Sequence, residues 1–323
     1  MSPLPFNLAL VQFLADHRTV FLTSFFHAAT FLGDSAGYLL VATLIYVAWN
    51  KRLAIRLSVL VLLTSSLNGV LKLIVKNPRP FIREGTYLSK WAVSPRSAAA
   101  LATEYSTPSG HAMSSSAFYS YLYACAGNRC VRVIAVLAIV LIGVSRPYLG
   151  VHYAEDVLIG WAIGLSAALL WIRYDQAVCA AWSRLSYARQ IGAAVAASLA
   201  LWLLTVSVNG WRAAGQPREV LASAGFLTGI VIARPLELRM VNFDPRSSNA
   251  AAKMLRYILS IAMVTGTLLF LDKALAMIPG NLAMLGYMLQ YVRHAAAGIV
   301  SIFLAPLLFT RMGLAETMPP EAN

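Results

Sequence analysis

Charge is what this chain is short of. Of its 323 residues only 12% are Asp, Glu, Lys or Arg, about half the share found in a soluble globular chain. That much charge cannot cover the surface of a water-soluble body of this size. The composition therefore excludes a soluble enzyme, a nucleic-acid-binding protein and a disordered chain. Acidic residues are the scarcer sign, 13 against 26 Lys and Arg, and no cluster of carboxylates marks a site for a hard metal ion. Cysteine is nearly absent. Cys125, Cys130 and Cys179 are odd in number and form no C-x-x-C pair, which argues against a disulfide framework or a zinc site. Each lies in or beside an apolar run and reads as a small hydrophobe. A basic leader is also missing. The first basic residue is Arg18, and no small-residue cleavage site follows an apolar core, so the first segment is expected to remain in the mature chain. There is no internal repeat and no low-complexity tract.

What the chain has is apolar length. It is 59% hydrophobic, with a mean hydropathy of +0.67, and it falls into runs close to the roughly 20 residues that a spanning helix needs. Residues 4–16 read as an interfacial helix. Residues 19–49 are broken at Gly33-Asp34 and form either one kinked span or a short helix plus a span. Clearer spans follow at 53–75, 111–127, 131–149, 153–173, 190–208, 219–234, 254–272 and 285–310. The expected fold is all-α: a polytopic transmembrane helical bundle with nine or ten spans. The expected division is a first segment 1–34, a core 35–175, a carboxyl-terminal membrane extension 176–312 and a short tail 313–323. The net charge of +13 is scattered between the runs, not gathered in a stripe. It is read as loop charge flanking membrane helices, with no nucleic-acid partner. The loops holding Lys51, Arg52, Arg129, Arg132, Arg234 and Arg239 belong to the more basic set and are assigned to the cytoplasm. The long polar loop 76–110 then faces the periplasm, the exterior or an organelle lumen, and a bacterial inner membrane is the expected location.

Three short patterns fall at that one face. Lys72 is followed seven residues on by Arg79-Pro80. Pro108-Ser109-Gly110-His111 opens a span. Ser145-Arg146 is followed by His152 and then Asp156. Lys72, Arg79 and Arg146 supply three cations, and a guanidinium can fork onto two phosphate oxygens. Ser109 and Gly110 precede a helix, whose first N–H groups favour an anion, and Gly lets the backbone approach closely. Together these residues form a cradle for a phosphoryl group, and phosphoryl transfer is largely positioning plus electrostatic stabilisation. Asp156 lies four residues after His152, so the two share a helix face. A carboxylate at Nδ1 fixes the tautomer and leaves Nε2 as a nucleophile. His111, at the opposite helix start, is the candidate acid for the leaving oxygen and then the base for water. No metal and no cofactor is expected.

KLIVKNPRP at 72–80, PSGH at 108–111 and SRPYLGVHYAED at 145–156 resemble the three signature motifs of the type 2 phosphatidic acid phosphatase superfamily. Every signature position carries its usual residue, in the usual order. The resemblance covers roughly residues 35–173, a six-helix core in that family. It implies phosphate binding by Lys72, Arg79, Ser109, Gly110 and Arg146, acid–base work by His111, nucleophilic attack by His152 and orientation by Asp156. It also implies metal-independent hydrolysis of phosphate monoesters or pyrophosphates, often on lipids. The four added carboxyl-terminal spans are similar in layout to longer members such as sphingosine-1-phosphate phosphatases and glucose-6-phosphatase. They are read as helices that pack on the core, form a lipid groove or support oligomers, and the sequence sets no oligomeric state. The expected partners are membrane lipids and a lipid phosphate or pyrophosphate substrate. A sugar-phosphate phosphatase, a lipid phosphotransferase and a non-enzymatic transporter or scaffold stand as alternatives.

Other residues have plainer readings. His17, His27 and His294 read as structural. Lys76, Arg83, Lys90 and Arg96 read as solvated loop charges. Asp34 reads as a helix cap, and Glu155, about 100° round the helix from Asp156, as structural or solvent-facing. Glu104 and Tyr105 precede the Pro-Ser-Gly-His run, and position alone leaves a pocket-lining role and a plain loop role equally open. Pro78 and Pro80 end a helix, and Gly143, Gly160 and Gly164 are close-packing points between helices.

Overall fold

A computed structural model describes residues 4–81, 101, 104–209, 218–276 and 283–318; Arg83, Lys90 and Arg96 lie outside them. The helices are α1 (Ala9–Asp16), α2 (Val20–Phe31), α3 (Ser35–Ala48), α4 (Lys51–Val75), α5 (Gly110–Cys125), α6 (Arg129–Tyr148), α7 (Ala154–Ser183), α8 (Tyr187–Asn209), α9 (Arg218–Met240), α10 (Ala250–Ala276), α11 (Ala283–Ile299) and α12 (Ala305–Arg311), with a π-helical turn at Val300–Leu304 joining the last two. Among the described residues there is no strand, and the fold is an all-α polytopic membrane protein. Cys125, Cys130 and Cys179 form no disulfide.

Seven helical stretches among the described residues are long and apolar enough to cross a bilayer: α4, α6, α7, α8, α9, α10 and the run from Leu285 to Arg311. The pair α2 and α3, bent by 57° at its break, makes an eighth. The sequence reading counted nine or ten, and the difference is α5. Its 16 residues extend about 24 Å, short of the ~30 Å hydrocarbon core. Polarity explains the short helix: α5 carries Ser114, Ser115 and Ser116, all buried, so it is built to sit among protein. The spans present apolar side chains outward instead, with Leu137, Leu169, Leu170 and Leu199 all more than half exposed, as a lipid-facing surface requires.

The chain divides into two compact units. The first comprises residues 1–38, 63–176 and 207–215, and the second residues 39–62, 177–206 and 216–323. In the first unit α6 packs against α5, α2 and α1. Tyr148, Leu149 and Val151 form a buried cluster under Leu14, Phe26 and Leu101. α7 reaches α5 through glycines. A Cβ on Gly160 would lie 2.8 Å from the Ser109 carbonyl oxygen, and one on Gly164 would lie 2.1 Å from both Met113 O and Ser116 Oγ. Gly143 makes similar room for the Trp161 ring. Close approach, expected at these three positions, is found at all of them. Gly164→Ala should therefore lower the thermal midpoint in detergent by about 5 °C or more, since overpacking costs about 1–3 kcal/mol. Gly192→Ala on α8, where an added Cβ meets nothing within 4 Å, should hold or raise it. Equal midpoints for the two variants would contradict this packing.

In the second unit α9 and α11 cross at Gly225, Gly229 and Gly298, where an added Cβ would lie 2.2–2.6 Å from a facing carbonyl oxygen. Lys51 donates to Glu237 at 2.7 Å and Arg234 to the same carboxylate at 2.6 Å. Lys51 and Glu237 are both buried, a satisfied ion cluster of the kind that fixes register at little net gain. Buried Arg256 donates to the Asp244 and Ser247 carbonyls and pins the loop after α9.

Candidate active site

The third motif owes its spacing to a helix end. α6 stops at Tyr148, the Gly150 N–H donates to the Pro147 carbonyl at 3.0 Å, and the Val151 N–H donates to the Arg146 carbonyl at 3.1 Å. That pair of bonds is a Schellman closure, which places a left-handed residue one step past the cap. Gly150 has φ +79°, a value that glycine alone adopts without strain. The closure reverses the chain and sets His152 just ahead of α7. Asp156 then falls in the first turn of α7 and accepts from the Tyr153 N–H at 2.9 Å, the carboxylate half of a capping box. Motif and cap are thus one structure, and the carboxylate beside the histidine also starts the helix.

His152 Nδ1 lies 3.3 Å from Asp156 Oδ2, and its Nε2 lies 3.2 Å from Arg79 Nη1. A guanidinium only donates and a carboxylate only accepts. The tautomer follows: Nδ1 carries the hydrogen and Nε2 a lone pair. Both Asp156 oxygens are held further, one by the Ser106 hydroxyl and the other by the Thr107 hydroxyl. Thr107 Oγ1 in turn accepts from Asn77 Nδ2 at 2.9 Å. Each oxygen of this carboxylate is thus engaged by a hydroxyl, and toward the imidazole it serves as an acceptor. Ser106, Thr107 and Asn77 were not found by sequence reasoning. Ser106 and Thr107 directly precede the second motif and Asn77 lies within the first, and that position was the signal, because a lone hydroxyl or amide has no pattern of its own.

Arg79 is 1% exposed. Besides His152 it donates through Nη1 to the Val151 carbonyl at 3.0 Å and through Nη2 to Glu104 Oε2 at 2.8 Å. Lys72, on the last turn of α4, donates to the same Glu104 oxygen at 3.3 Å. One carboxylate therefore bridges two cations of the expected cradle. Burial opposes the charge on Glu104, but Lys72 and Arg79 overcome it and hold the acid below its ordinary value. Glu104, whose role sequence position left open, is part of the cluster. Arg146 is buried and donates to the Thr30 hydroxyl, and it stands within electrostatic range of His152 and His111.

Ser109 caps α5, its Oγ 3.5 Å from the Ala112 N–H. Its own N–H donates to the Asp156 carbonyl at 3.0 Å, which ties the second motif to the third. Gly110 makes room for Asn68, whose Oδ1 would lie 2.9 Å from an added Cβ. Asn68 also donates to the Pro108 carbonyl at 3.0 Å. His111 Nε2 lies 2.7 Å from Asp34 Oδ1. Asp34 does stand at the head of α3, where its carbonyl accepts from the Tyr38 N–H at 3.0 Å, but its side chain turns to His111. The capping expectation missed that contact because the partner is 77 residues away.

The remaining readings sort simply. His17 and His294 each reach the carbonyl four residues back, at 2.8 Å, as structural histidines do. Lys76 reaches the Val208 carbonyl at 3.4 Å. Glu155 accepts from the Asn7 N–H at 3.1 Å. Among the described residues no group of three or more His, Cys, Asp or Glu is placed to hold a metal ion.

Burial, and then the charges of Arg79, Arg146 and Lys72, hold the His152 imidazole well below the ordinary histidine value. Unfolding frees it to bind a proton near pH 6.5, so between the two values the unfolded chain holds the extra proton. Stability is then lost as pH falls below about 6.5. The thermal midpoint in detergent should drop between pH 7 and pH 5, and His152→Gln should flatten part of that slope. An unchanged slope in the variant would remove His152 as its source.

The model of the PAP2 superfamily matches residues 53–180, and that of the PAP2 superfamily phosphatase, transmembrane extension, matches residues 221–317. Phosphatidylglycerophosphatase B of Bacillus subtilis (strain 168) is 33% identical over 85 residues, which are 24% of this chain and 42% of that relative's length. The crystal structure of a transmembrane PAP2 type phosphatidylglycerolphosphate phosphatase from Bacillus subtilis aligns over 53% of this chain and 84% of its own, at 28% identity and a TM-score of 0.41. That of Aquifex aeolicus LpxE aligns over 52% and 95%, at 22% identity and a TM-score of 0.42. With the three motifs intact and the family's core and transmembrane-extension models both matched, the chain belongs to the PAP2 superfamily.

Proposed function

We propose that this protein is a membrane phosphatase that hydrolyses lipid phosphate monoesters or pyrophosphates, without a metal ion, through a phosphohistidine on His152. The observation that carries this reading is the pair of contacts on His152, with Asp156 at Nδ1 and Arg79 at Nε2. A lone pair aimed into a cluster of cations is what attack on a phosphoryl group needs.

The reaction runs in two steps. Nε2 attacks phosphorus as the bond to the leaving oxygen breaks, and protonated His111 gives that oxygen its proton. Lys72, Arg79 and Arg146 hold the equatorial oxygens, with the Ser109 and Gly110 backbone at the start of α5. Asp156 stabilises the imidazolium that attack creates at His152. Neutral His111 then takes a proton from water, the water oxygen bonds to phosphorus, and the P–N bond breaks. Inorganic phosphate leaves and both histidines return to their starting states.

The site lies where α4 and α6 end and α5 and α7 begin, a place that suits a headgroup held in water and a tail among helices. The loop charges favour a site facing away from the cytoplasm, in a bacterial inner membrane. The name of the Bacillus subtilis relative puts a phosphatidylglycerophosphate first among headgroups to try. The test is phosphate release by detergent-purified protein in excess EDTA, on phosphatidylglycerophosphate, phosphatidate, a sphingoid phosphate, an isoprenyl pyrophosphate and a sugar phosphate. Release on a lipid member that vanishes in His152→Ala supports the reading. Release dependent on added metal, or confined to the sugar phosphate, overturns it. Label passing to a second lipid instead of water replaces hydrolysis by transfer.

A further inference from the structure

The break between α2 and α3 is tied to α5 and α6 at three points, two of them site residues. Before it, the Thr30 hydroxyl accepts from Arg146 Nη1 on α6. Within it, the Leu32 carbonyl accepts from the Tyr119 hydroxyl on α5 at 3.1 Å. After it, Asp34 Oδ1 lies 2.7 Å from His111 Nε2. Gly33 lets the break come this close, since an added Cβ would lie 3.2 Å from His111 Cδ2 and 2.6 Å from Ile142 Cγ2. A break in a span is tolerated where protein re-satisfies the freed backbone, as the Tyr119 hydroxyl does at the Leu32 carbonyl, and the three contacts together hold the break in place. They also deliver a carboxylate to one particular nitrogen of one particular imidazole.

We propose that Asp34 is a positioning residue for His111, so that the site holds two carboxylate–histidine pairs: Asp156 on the nucleophile and Asp34 on the acid. This rests on the phosphatase reading above. A carboxylate can only accept, so Nε2 of His111 carries a hydrogen in both charge states. The proton that moves is then the one on Nδ1. In the first step it passes from Nδ1 to the leaving oxygen as the P–O bond breaks. In the second, Nδ1 takes it back from water as the P–N bond breaks. Asp34 fixes the ring's rotation and offsets the positive charge of the imidazolium. That charge needs an anion nearby, because the other groups facing His111 are Arg146 on α6, Lys72 on α4 and His152 ahead of α7, and none of these is negative.

The test separates proton donation from structure by changing the leaving group. Wild type, Asp34→Asn and His111→Gln are compared on an alkyl phosphate and on a nitrophenyl phosphate bearing the same chain. Nitrophenolate departs without a proton, and an alkoxide does not. Asp34→Asn should lose on the order of 10- to 100-fold in kcat on the alkyl phosphate with KM within about 3-fold. On the nitrophenyl phosphate the loss should shrink to about 3-fold or less, in parallel with His111→Gln. Imidazole nitrogen shifts of His111 by NMR give a readout without turnover: wild type should show Nε2 protonated, and Asp34→Asn a mixture. If Asp34→Asn fails to fold, Asp34→Glu, which keeps the carboxylate, carries the comparison and should retain more than half of the leaving-group dependence of wild type. Equal losses on both substrates would make Asp34 a structural residue and overturn the inference, as would wild-type turnover in Asp34→Asn. Wild type that releases no phosphate from any substrate would instead remove the phosphatase reading, and this inference with it.

Discussion

Alanine in place of His152 is expected to cut phosphate release by at least about 10³-fold, the scale on which removal of a covalent nucleophile acts. The contacts say why nothing nearby replaces it. Nε2 is the lone pair that Arg79 Nη1 faces at 3.2 Å, and the groups around it are donors or spoken-for acceptors. Rapid quench with a ³²P-labelled lipid phosphate gives the direct readout. Wild type should yield a protein-bound label that is lost in acid and kept in alkali, as a phosphoramidate is, and His152→Ala should yield none. Asp156→Asn should retain the label but form it about 10²–10⁴-fold more slowly, because an amide holds the ring without stabilising its charge. His152→Ala activity above one-tenth of wild type would sink the covalent mechanism.

Arg79→Ala should be the next most damaging change, lowering kcat/KM by about 10²–10³-fold, the range seen when a fixed donor to a transition-state oxygen is lost. Arg79 is the hub of the cluster, bonded to Glu104, Val151 and His152, so its removal takes away the proposed phosphate fork and frees Nε2 together. Arg79→Lys tells the two apart. It restores a charge but not the planar fork, and lysine in place of a bidentate arginine is not conservative. It should recover stability and little activity. Added guanidinium ion should restore part of the Arg79→Ala rate if the cavity left behind is the fork's own site. If Arg79→Lys runs at the wild-type rate, the fork geometry proposed for phosphate has no role.

The residues that the sequence made legible share one property. Lys72 to Arg79, Pro108 to His111 and Arg146 to Asp156 are each set by a local device: a helix end, a cap, a Schellman turn. Local devices have fixed spacings, so they appear as motifs. The same holds for the spans, whose apolar length is a one-dimensional signal. What stayed hidden joins distant segments. Ser106 and Thr107 find Asp156 about fifty residues on, and Asp34 finds His111 across 77. No period or spacing encodes such meetings. The length of α5 was missed for a related reason. Its apolar run continues to Ala126 and Gly127, and hydropathy alone does not separate a helix facing lipid from one facing protein.

Glu104 changes how binding at this site should be understood. Lys72 and Arg79 are bridged by a carboxylate that offsets one of their two charges, so on the proposed reading an arriving phosphoryl group would not meet bare cations. It exchanges with an anion that is covalently part of the chain and always at hand. Affinity is then a ratio of two attractions, and the arithmetic of charge sets who wins. A dianionic monoester replaces one negative charge with two and gains the difference. A monoanionic diester, such as the bulk phospholipids of any bilayer, swaps like for like and gains almost nothing. On the proposed reading, in a membrane where diesters vastly outnumber monoesters, a built-in competitor of single charge would keep the cradle clear of the solvent it is dissolved in.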